Sequence, residues 1–247
     1  MSGVAEPAAP SEGAELTVVI PTFCEAGHIE EVLDAWRATL DSLHIDYLLC
    51  VYDDGSRDGT LEILQRQARQ HARIAVEGHE NRGHGPTILE GYRRARGEWV
   101  FQVDSDGEIA PDHFGALWRQ REGHDLLLGC RRRSSQPPTR RLISTMSRLA
   151  VSLFFGDGIH DVNSPYRLMR GTSLRRLLPR IPPDAFAPNV ILSGIAIRDG
   201  LRVQEQDVPV QAKAARRSSL SGGKLWRGAW RALGETVRVA RATGPGS

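Results

Sequence analysis

Between residues 16 and 128 the chain alternates between two hydrophobic periods. Short β-branched and aromatic runs at residues 16–20, 47–52, 74–76, 99–103 and 125–128 have strand character. Longer stretches between them repeat apolar residues every three or four positions, as in Ile29, Val32, Leu33, Trp36 and Leu40. The pattern predicts strands joined by helices over residues 25–40, 58–70 and 86–96, the last ended by Gly97. Strands that alternate with helices form a mostly parallel sheet covered on both faces, an α/β fold. Right-handed crossovers then bring the C-terminal ends of parallel strands to one edge, where open sheets bind ligands.

The residues expected at that edge are polar. The first run ends in Pro21-Thr22-Phe23 and the second in Asp53-Asp54-Gly55. The fourth ends in Asp104-Ser105-Asp106-Gly107-Glu108. Paired carboxylates with no His or Cys beside them in sequence suit Mg²⁺ or Mn²⁺, and such an ion commonly also holds a phosphate. Either Asp53 or Asp54 can accept hydrogen bonds from a ribose or a base; Asp54, nearer the Gly turn, is the favoured one. Both also suit turn formation and helix capping. Phe23 would lie against a base or pack in the core. Gly83-His84-Gly85 is expected in a loop before a helix, where glycine lets the backbone approach a phosphate or sugar.

Bulk properties narrow the class. No apolar run approaches the ~18 residues of a membrane span. Residues 1–14 read as a disordered tail without the pattern of a signal peptide. Cys24, Cys50 and Cys130 are widely spaced, which suggests a reduced, cytoplasmic protein. The formal net charge is only +2, yet residues 1–129 carry 11 basic and 23 acidic side chains, and residues 130–247 carry 21 and 7. The second half is therefore expected to face something anionic. Of the 32 basic residues, Lys213 and Lys224 are the only lysines.

Taken together, Val18-Val-Ile-Pro-Thr-Phe-Cys-Glu25, Val51-Tyr-Asp-Asp-Gly-Ser-Arg-Asp-Gly-Thr60, Asn81-Arg-Gly-His-Gly85 and Phe101-Gln-Val-Asp-Ser-Asp106 resemble the successive blocks of glycosyltransferase family 2. Asp161-Val-Asn-Ser-Pro-Tyr-Arg167 is similar to an Asp-x-x-Ser-Gly-Phe-Arg segment of its polyprenyl-phosphate branch, the dolichol-phosphate mannose synthase-like enzymes, with Pro165 in place of the glycine. The resemblance implies a GT-A fold with a Rossmann-like sheet, a nucleotide-diphosphate sugar donor, a divalent metal and inversion at the anomeric carbon. It implies that Pro21, Thr22, Phe23 and Glu25 line the nucleotide pocket with Asp53, Asp54, Gly83 and Gly85. By the same resemblance Asp104 sits toward the donor and Asp106 ligates the metal. Glu108 stands where the branch often has a metal-assisting Gln, and would either tighten metal binding or point to solvent.

The expected organisation is one domain with a donor half over residues 15–130, an acceptor half over 131–223 and a basic amphipathic helix and tail over 224–247. A hydroxyl acceptor needs a general base, whereas a phosphate is already ionised and needs only cations. Many relatives carry an acid near the start of the helix after Pro188; here Asn189 stands there, with Asp184 and Asp161 as the nearest alternatives. Arg131, Arg132, Arg133, Arg141 and Arg167 offer guanidinium forks suited to phosphate, or else form a solvated helix face. Six arginines and no acid fall within residues 130–156. The expected acceptor is a polyprenyl phosphate, with a small-molecule acceptor such as a secondary metabolite as the alternative.

Residues Trp226, Trp230, Leu233, Val237 and Ala240 form an apolar stripe flanked by Lys224, Arg227, Arg231, Arg238 and Arg241. Such a helix can lie on an anionic inner membrane face, dock on the core or meet a second subunit. Nucleic acid is not an expected partner. Two other classes fit less well. A nucleotidyltransferase would show a Gly-rich basic loop after the first strand, and a non-catalytic binding protein would not need the intact Asp104-x-Asp106.

Overall fold

The computed structural model describes residues 13–131, 138–210 and 222–242. The expected phosphate-binding roles of Arg132 and Arg133 lie outside the described residues. So do the side chains of Arg140, Arg141, Lys224 and Trp226.

The first half follows the expected alternation: β1 (Leu16–Thr22), α1 (Ile29–Ser42), β2 (Tyr47–Asp53), α2 (Thr60–Gln70), β3 (Ile74–Gly78), α3 (His84–Arg94) and β4 (Trp99–Gln102). A 3₁₀ turn at Pro111–His113 leads into α4 (Phe114–Arg119), then β5 (Leu126–Arg131). The second half contributes α5 (Pro138–Phe155), β6 (Arg167–Arg170), α6 (Gly171–Leu177), α7 (Pro188–Arg198), β7 (Val203–Val208) and α8 (Gly222–Ala242). The short helix α6 had no clear signal in the sequence.

Seven strands form one sheet in the order β3-β2-β1-β4-β6-β5-β7. The pairs β3–β2, β2–β1, β1–β4 and β5–β7 are parallel, and β6 runs antiparallel between β4 and β5. Strands from both halves thus interleave in a single sheet. Strand order reverses at β1: the chain winds outward to β3 and returns through α3 to β4 on the other side. That reversal opens the crevice at the C-terminal ends of β1 and β4.

Period-two alternation sorts β1 and β2 between two cores. Leu16, Val18, Ile20, Leu49 and Val51 pack with α1 residues Leu33 and Trp36 on one face. Val19, Leu48, Cys50 and Tyr52 pack on the other, with α3 and the helices of the second half.

Two local expectations are corrected. Helix α3 begins at His84, so His84 and Gly85 belong to its first turn and not to the preceding loop; Gly83, at φ 98°, is the residue before it. Gly97 does not end α3, which stops at Arg94. Gly97 permits close packing instead, since a Cβ there would lie 2.7 Å from the Thr17 nitrogen. No helix among the described residues is long and apolar enough to cross a membrane.

Candidate active site

The loops after β1, β2 and β3 are tied together by backbone donors. The N–H groups of Cys24, Glu25 and Ala26 donate to Ser56 Oγ (2.8 Å), Thr60 Oγ1 (2.8 Å) and Asp58 Oδ2 (3.1 Å). Cys24 holds a left-handed conformation, φ 56°, which turns these donors toward the Asp58 turn. Phe23, just before it, is 50% exposed and does not enter the core.

Asp53 and Asp54 are both buried, but their carboxylates do different work. Asp54 accepts from the Arg82 N–H at 2.7 Å and the Gly83 N–H at 3.0 Å. Its carbonyl accepts from Asn81 Nδ2 at 2.9 Å. The residue the sequence favoured for base or ribose is therefore occupied in holding the loop before α3. Asp53 uses Oδ2 to accept from the Ser56 N–H at 3.0 Å. Its buried Oδ1 has no hydrogen-bond partner, and neither has Oγ1 of Thr22, its register partner on β1. Two buried oxygens on adjacent strand ends thus keep unused hydrogen-bonding capacity that a ligand's donors could take up.

Across the crevice, Asp104 Oδ1 accepts from Gln102 Nε2 at 2.9 Å and lies 3.5 Å from His84 Nε2. Gln102 Oε1 accepts from Asn189 Nδ2 at 2.9 Å, and Asn189 Oδ1 accepts from Tyr92 Oη at 2.8 Å. This buried chain reaches from α3 through α7 to the end of β4. Gln102 and Tyr92 were not among the residues expected at the site; Gln102, a polar residue closing an apolar strand, was the signal available.

Asp106 Oδ1 accepts from the Glu108 N–H at 2.8 Å, closing the turn that Gly107 makes at φ 66°. Glu108 is buried, with Oε2 3.8 Å from Arg131 Nη1. Among the described residues no three His, Cys, Asp or Glu side chains converge at metal-binding spacing. Asp104, Asp106 and Glu108 thus do not form one donor set in this conformation, and the arginine beside Glu108 accounts for its separate place. Asp104 and Asp106 still supply hard oxygens of the type Mg²⁺ and Mn²⁺ take, and Mg²⁺ is usually held by only one or two carboxylates plus substrate phosphates.

Two of the five arginines expected to meet phosphate, Arg131 and Arg167, are engaged elsewhere. Arg131 makes a buried bidentate pair with Asp161, at 2.9 Å from Nε to Oδ2 and 3.0 Å from Nη2 to Oδ1. Burial alone would raise the Asp161 carboxyl, but the Arg131 charge and hydrogen bonds outweigh it and hold the group below its ordinary range. Arg167 is fully buried and donates to the carbonyls of Ser164, Asn189 and Val162. Its burial lowers its own pKa. Both side chains brace the second half of the chain from within.

The loop before α7 closes the remaining side. A Cβ at Gly85 would lie 2.1 Å from the Ala185 oxygen, so the first turn of α3 abuts that loop directly. From the other side α8 clamps it: the Phe186 N–H donates to Glu235 Oε2 at 2.7 Å, and Arg231 Nη2 donates to the Asp184 oxygen at 3.1 Å. Helix α8 packs on α5 and α7, with Ala232, Thr236, Val239 and Ala240 buried, while Trp230 is 62% exposed. Of the apolar stripe expected from the sequence, Ala240 is buried, Leu233 and Val237 are partly buried and Trp230 is exposed, so the stripe straddles the edge of the docked face.

Comparison with known proteins places this geometry. The sequence pattern of glycosyl transferase family 2 matches residues 17–178. An undecaprenyl-phosphate 4-deoxy-4-formamido-L-arabinose transferase of Pseudomonas paraeruginosa (strain DSM 24068 / PA7) is 30% identical over 184 residues, 73% of this chain and 54% of the relative. The chain thus spans about half the length of the curated relatives it matches. A glucosyl-3-phosphoglycerate synthase of Mycobacterium tuberculosis, solved with Mn²⁺, UDP-glucose and phosphoglyceric acid, superposes with a TM-score of 0.69 at 19% identity, covering 95% of this chain and 82% of that one. A mannosyltransferase from Pyrobaculum calidifontis, solved with GDP-Man and Mn²⁺, superposes at 0.56 with 21% identity, covering 96% and 75%. On the match over residues 17–178 and the sheet and crevice described above, the chain belongs to glycosyl transferase family 2 and has the GT-A fold.

Proposed function

We propose that the protein is a metal-dependent inverting glycosyltransferase that moves a sugar from a nucleotide diphosphate to a polyprenyl phosphate. The observation that carries the acceptor is Asn189. Where a hydroxyl-directed enzyme would need a base, this chain has an amide whose two ends are hydrogen-bonded to Tyr92 and Gln102. Asp161, the other buried candidate, is held ionised by Arg131 and is spent on that pair. A phosphate acceptor needs neither. The relative named for undecaprenyl phosphate, at 30% identity, supports the same reading.

The nucleotide would enter over Phe23, with Asp53 Oδ1 and Thr22 Oγ1 receiving donors from base or ribose. This assigns to Asp53 the role first given to Asp54. Glu25 and Pro21 border the same end of β1. Asp104 and Asp106 would hold Mg²⁺ or Mn²⁺, which supplies countercharge for the diphosphate leaving group. An acceptor phosphate oxygen then bonds to the anomeric carbon from the face opposite the diphosphate. The bond from that carbon to the diphosphate oxygen breaks, and its electron pair leaves with the nucleoside diphosphate. No proton has to move. Gln102 keeps Asp104 oriented throughout.

Purified protein incubated with Mn²⁺, radiolabelled nucleotide sugars and undecaprenyl phosphate in detergent should give a labelled lipid. Turnover solely with a soluble acceptor would overturn the lipid assignment. The M. tuberculosis structure with phosphoglyceric acid makes a small phosphorylated acceptor the competitor to include. Loss of transfer in Asp104→Asn and Asp106→Asn, by about 3 kcal/mol or more of activation energy, is expected if the metal sits there.

A further inference from the structure

Two helices of the second half of the chain, α5 and α8, present apolar side chains to solvent. On α5, Leu142, Leu149 and Leu153 are 48%, 58% and 78% exposed. They recur at steps of seven and four, which on a helix is a single stripe. One step round the same helix, Met146 and Ala150 meet Ala232 and Leu233 of α8 around a small cavity. The leucine stripe therefore borders the seam between the two helices. On α8, exposed Trp230 and partly buried Leu233 and Val237 are three and four residues apart and border the seam from the other side. The two stripes together make one outward surface, with α7 packed beneath both helices.

Its surroundings are cationic. Arg227, Arg238 and Arg241 are exposed on α8. The single acid of that helix, Glu235, is buried and bonded to Arg231 and the Phe186 N–H. Helix α5 has Arg140, Arg141 and the partly buried Arg148 in its sequence and no acid, and Asp157 follows its C-terminal end. A second copy would bring the same positive charge against this face. An anionic bilayer complements both its parts, apolar side chains at the acyl boundary and guanidinium groups among the headgroups.

We propose that the exposed α5–α8 face is a docking surface for an anionic lipid bilayer, which the protein lies on without crossing. Helix α8, which carries part of this surface, also reaches the candidate active site, because its Glu235 holds the Phe186 N–H of the loop that abuts Gly85. Docking there would present a lipid phosphate to the crevice; in that purpose, though not in the surface itself, the proposal rests on the polyprenyl-phosphate reading.

The test is cosedimentation of the full chain with vesicles of phosphatidylglycerol and phosphatidylcholine in equal parts, against phosphatidylcholine alone. The wild type should bind the anionic vesicles and release in high salt. Leu149→Glu with Leu153→Glu should lower partitioning by at least ~10-fold, since two inserted side chains are lost. Arg238→Glu with Arg241→Glu, which leaves the apolar stripe intact, should lower it as well. An unchanged melting temperature, and an unchanged thermal shift with UDP and Mn²⁺, would establish that the variants fold.

Equal binding by wild type and folded variants would overturn the proposal, as would no binding at all. So would a wild-type dimer that the leucine variant dissolves in sedimentation equilibrium without any vesicle binding, because the face would then belong to a second copy. Transfer to undecaprenyl phosphate in detergent does not require the face. Vesicle binding without such transfer would overturn the acceptor assignment and leave docking standing, and transfer without vesicle binding would do the reverse.

Discussion

Asn189 Nδ2 donates to Gln102 Oε1 at 2.9 Å although 87 residues separate them in the chain. The bond joins the first turn of α7 to the last residue of β4, and Gln102 passes it on to Asp104. An amide placed there acts as a strut, and the carboxylate most exposed to the consequences is the candidate metal ligand.

Replacing Asn189 by Asp should break the strut. A carboxylate cannot donate to Gln102 Oε1, so two acceptors would face each other and Asp104 would lose its fixed orientation. Loss of such an outer partner typically costs ~10–100-fold in metal affinity. Titration of Mn²⁺ followed by thermal shift should show that loss. The pH profile of transfer should gain no new limb on its acidic side, whereas a profile that gained one would identify position 189 as a site for a general base.

Asp53 and Asp54 should separate in their effects. Asp54→Ala removes the acceptor for two backbone donors, Arg82 and Gly83, and should destabilise the fold by about 1–3 kcal/mol. Asp53→Asn keeps an oxygen for the Ser56 N–H but alters the orphaned side of the carboxylate. It should weaken nucleoside diphosphate binding by roughly 1–3 kcal/mol, as expected of a hydrogen bond to a charged group, with little change in melting temperature. Calorimetric titration and thermal unfolding distinguish the two.

The Arg131–Asp161 pair predicts acid sensitivity. The folded-state pKa of Asp161 is depressed, since the arginine outweighs the effect of burial. Its contribution is therefore complete above the unfolded carboxylate value of about 3.9 and is lost as pH falls through the lower folded value. Asp161→Asn leaves Arg131 buried without its bidentate partner and should cost about 3–5 kcal/mol. The mutant should also lose the wild type's added steepness of unfolding below about pH 4. Urea unfolding at several pH values measures both.

Gly85→Ala should separate α3 from the loop that α8 clamps. The new Cβ would lie 2.1 Å from a backbone oxygen of Ala185, which no side-chain rotation relieves. Destabilisation of about 1–3 kcal/mol is expected, together with weaker nucleotide binding as His84 shifts from Asp104. A Gly85→Ala protein with wild-type melting temperature and affinity would mean that the loop moves freely.

The strands and helices of the first half were legible because period two and period 3.6 are written directly into residues such as those of β1 and α1. Convergence of Thr22, Asp53, Asp54 and Asp104 also followed from sequence, since right-handed crossovers leave parallel strands one shared edge. The division of labour between Asp53 and Asp54 did not follow. Adjacent strand-end carboxylates look alike until the Arg82 and Gly83 donors, 28 and 29 residues on, are seen to claim one of them. Which face of α8 docks was left open by the sequence for a related reason. Its sequence offers one stripe with tryptophan and another with alanine, threonine and valine, and only the surface of α5 and α7 decides how much of each is buried.

The sequence by itself determined the α/β layering, the polar strand ends and the basic second half, because periodicity, turn residues and charge are local properties. The tertiary structure decided which of those polar groups are free to bind anything. Arg131 and Arg167, expected to meet phosphate, are buried in internal pairings, while Asn189 and Gln102 are joined into a support for Asp104. Hydrogen-bond capacity is settled by partners distant in the chain, and those partners exist only once the two halves share one sheet.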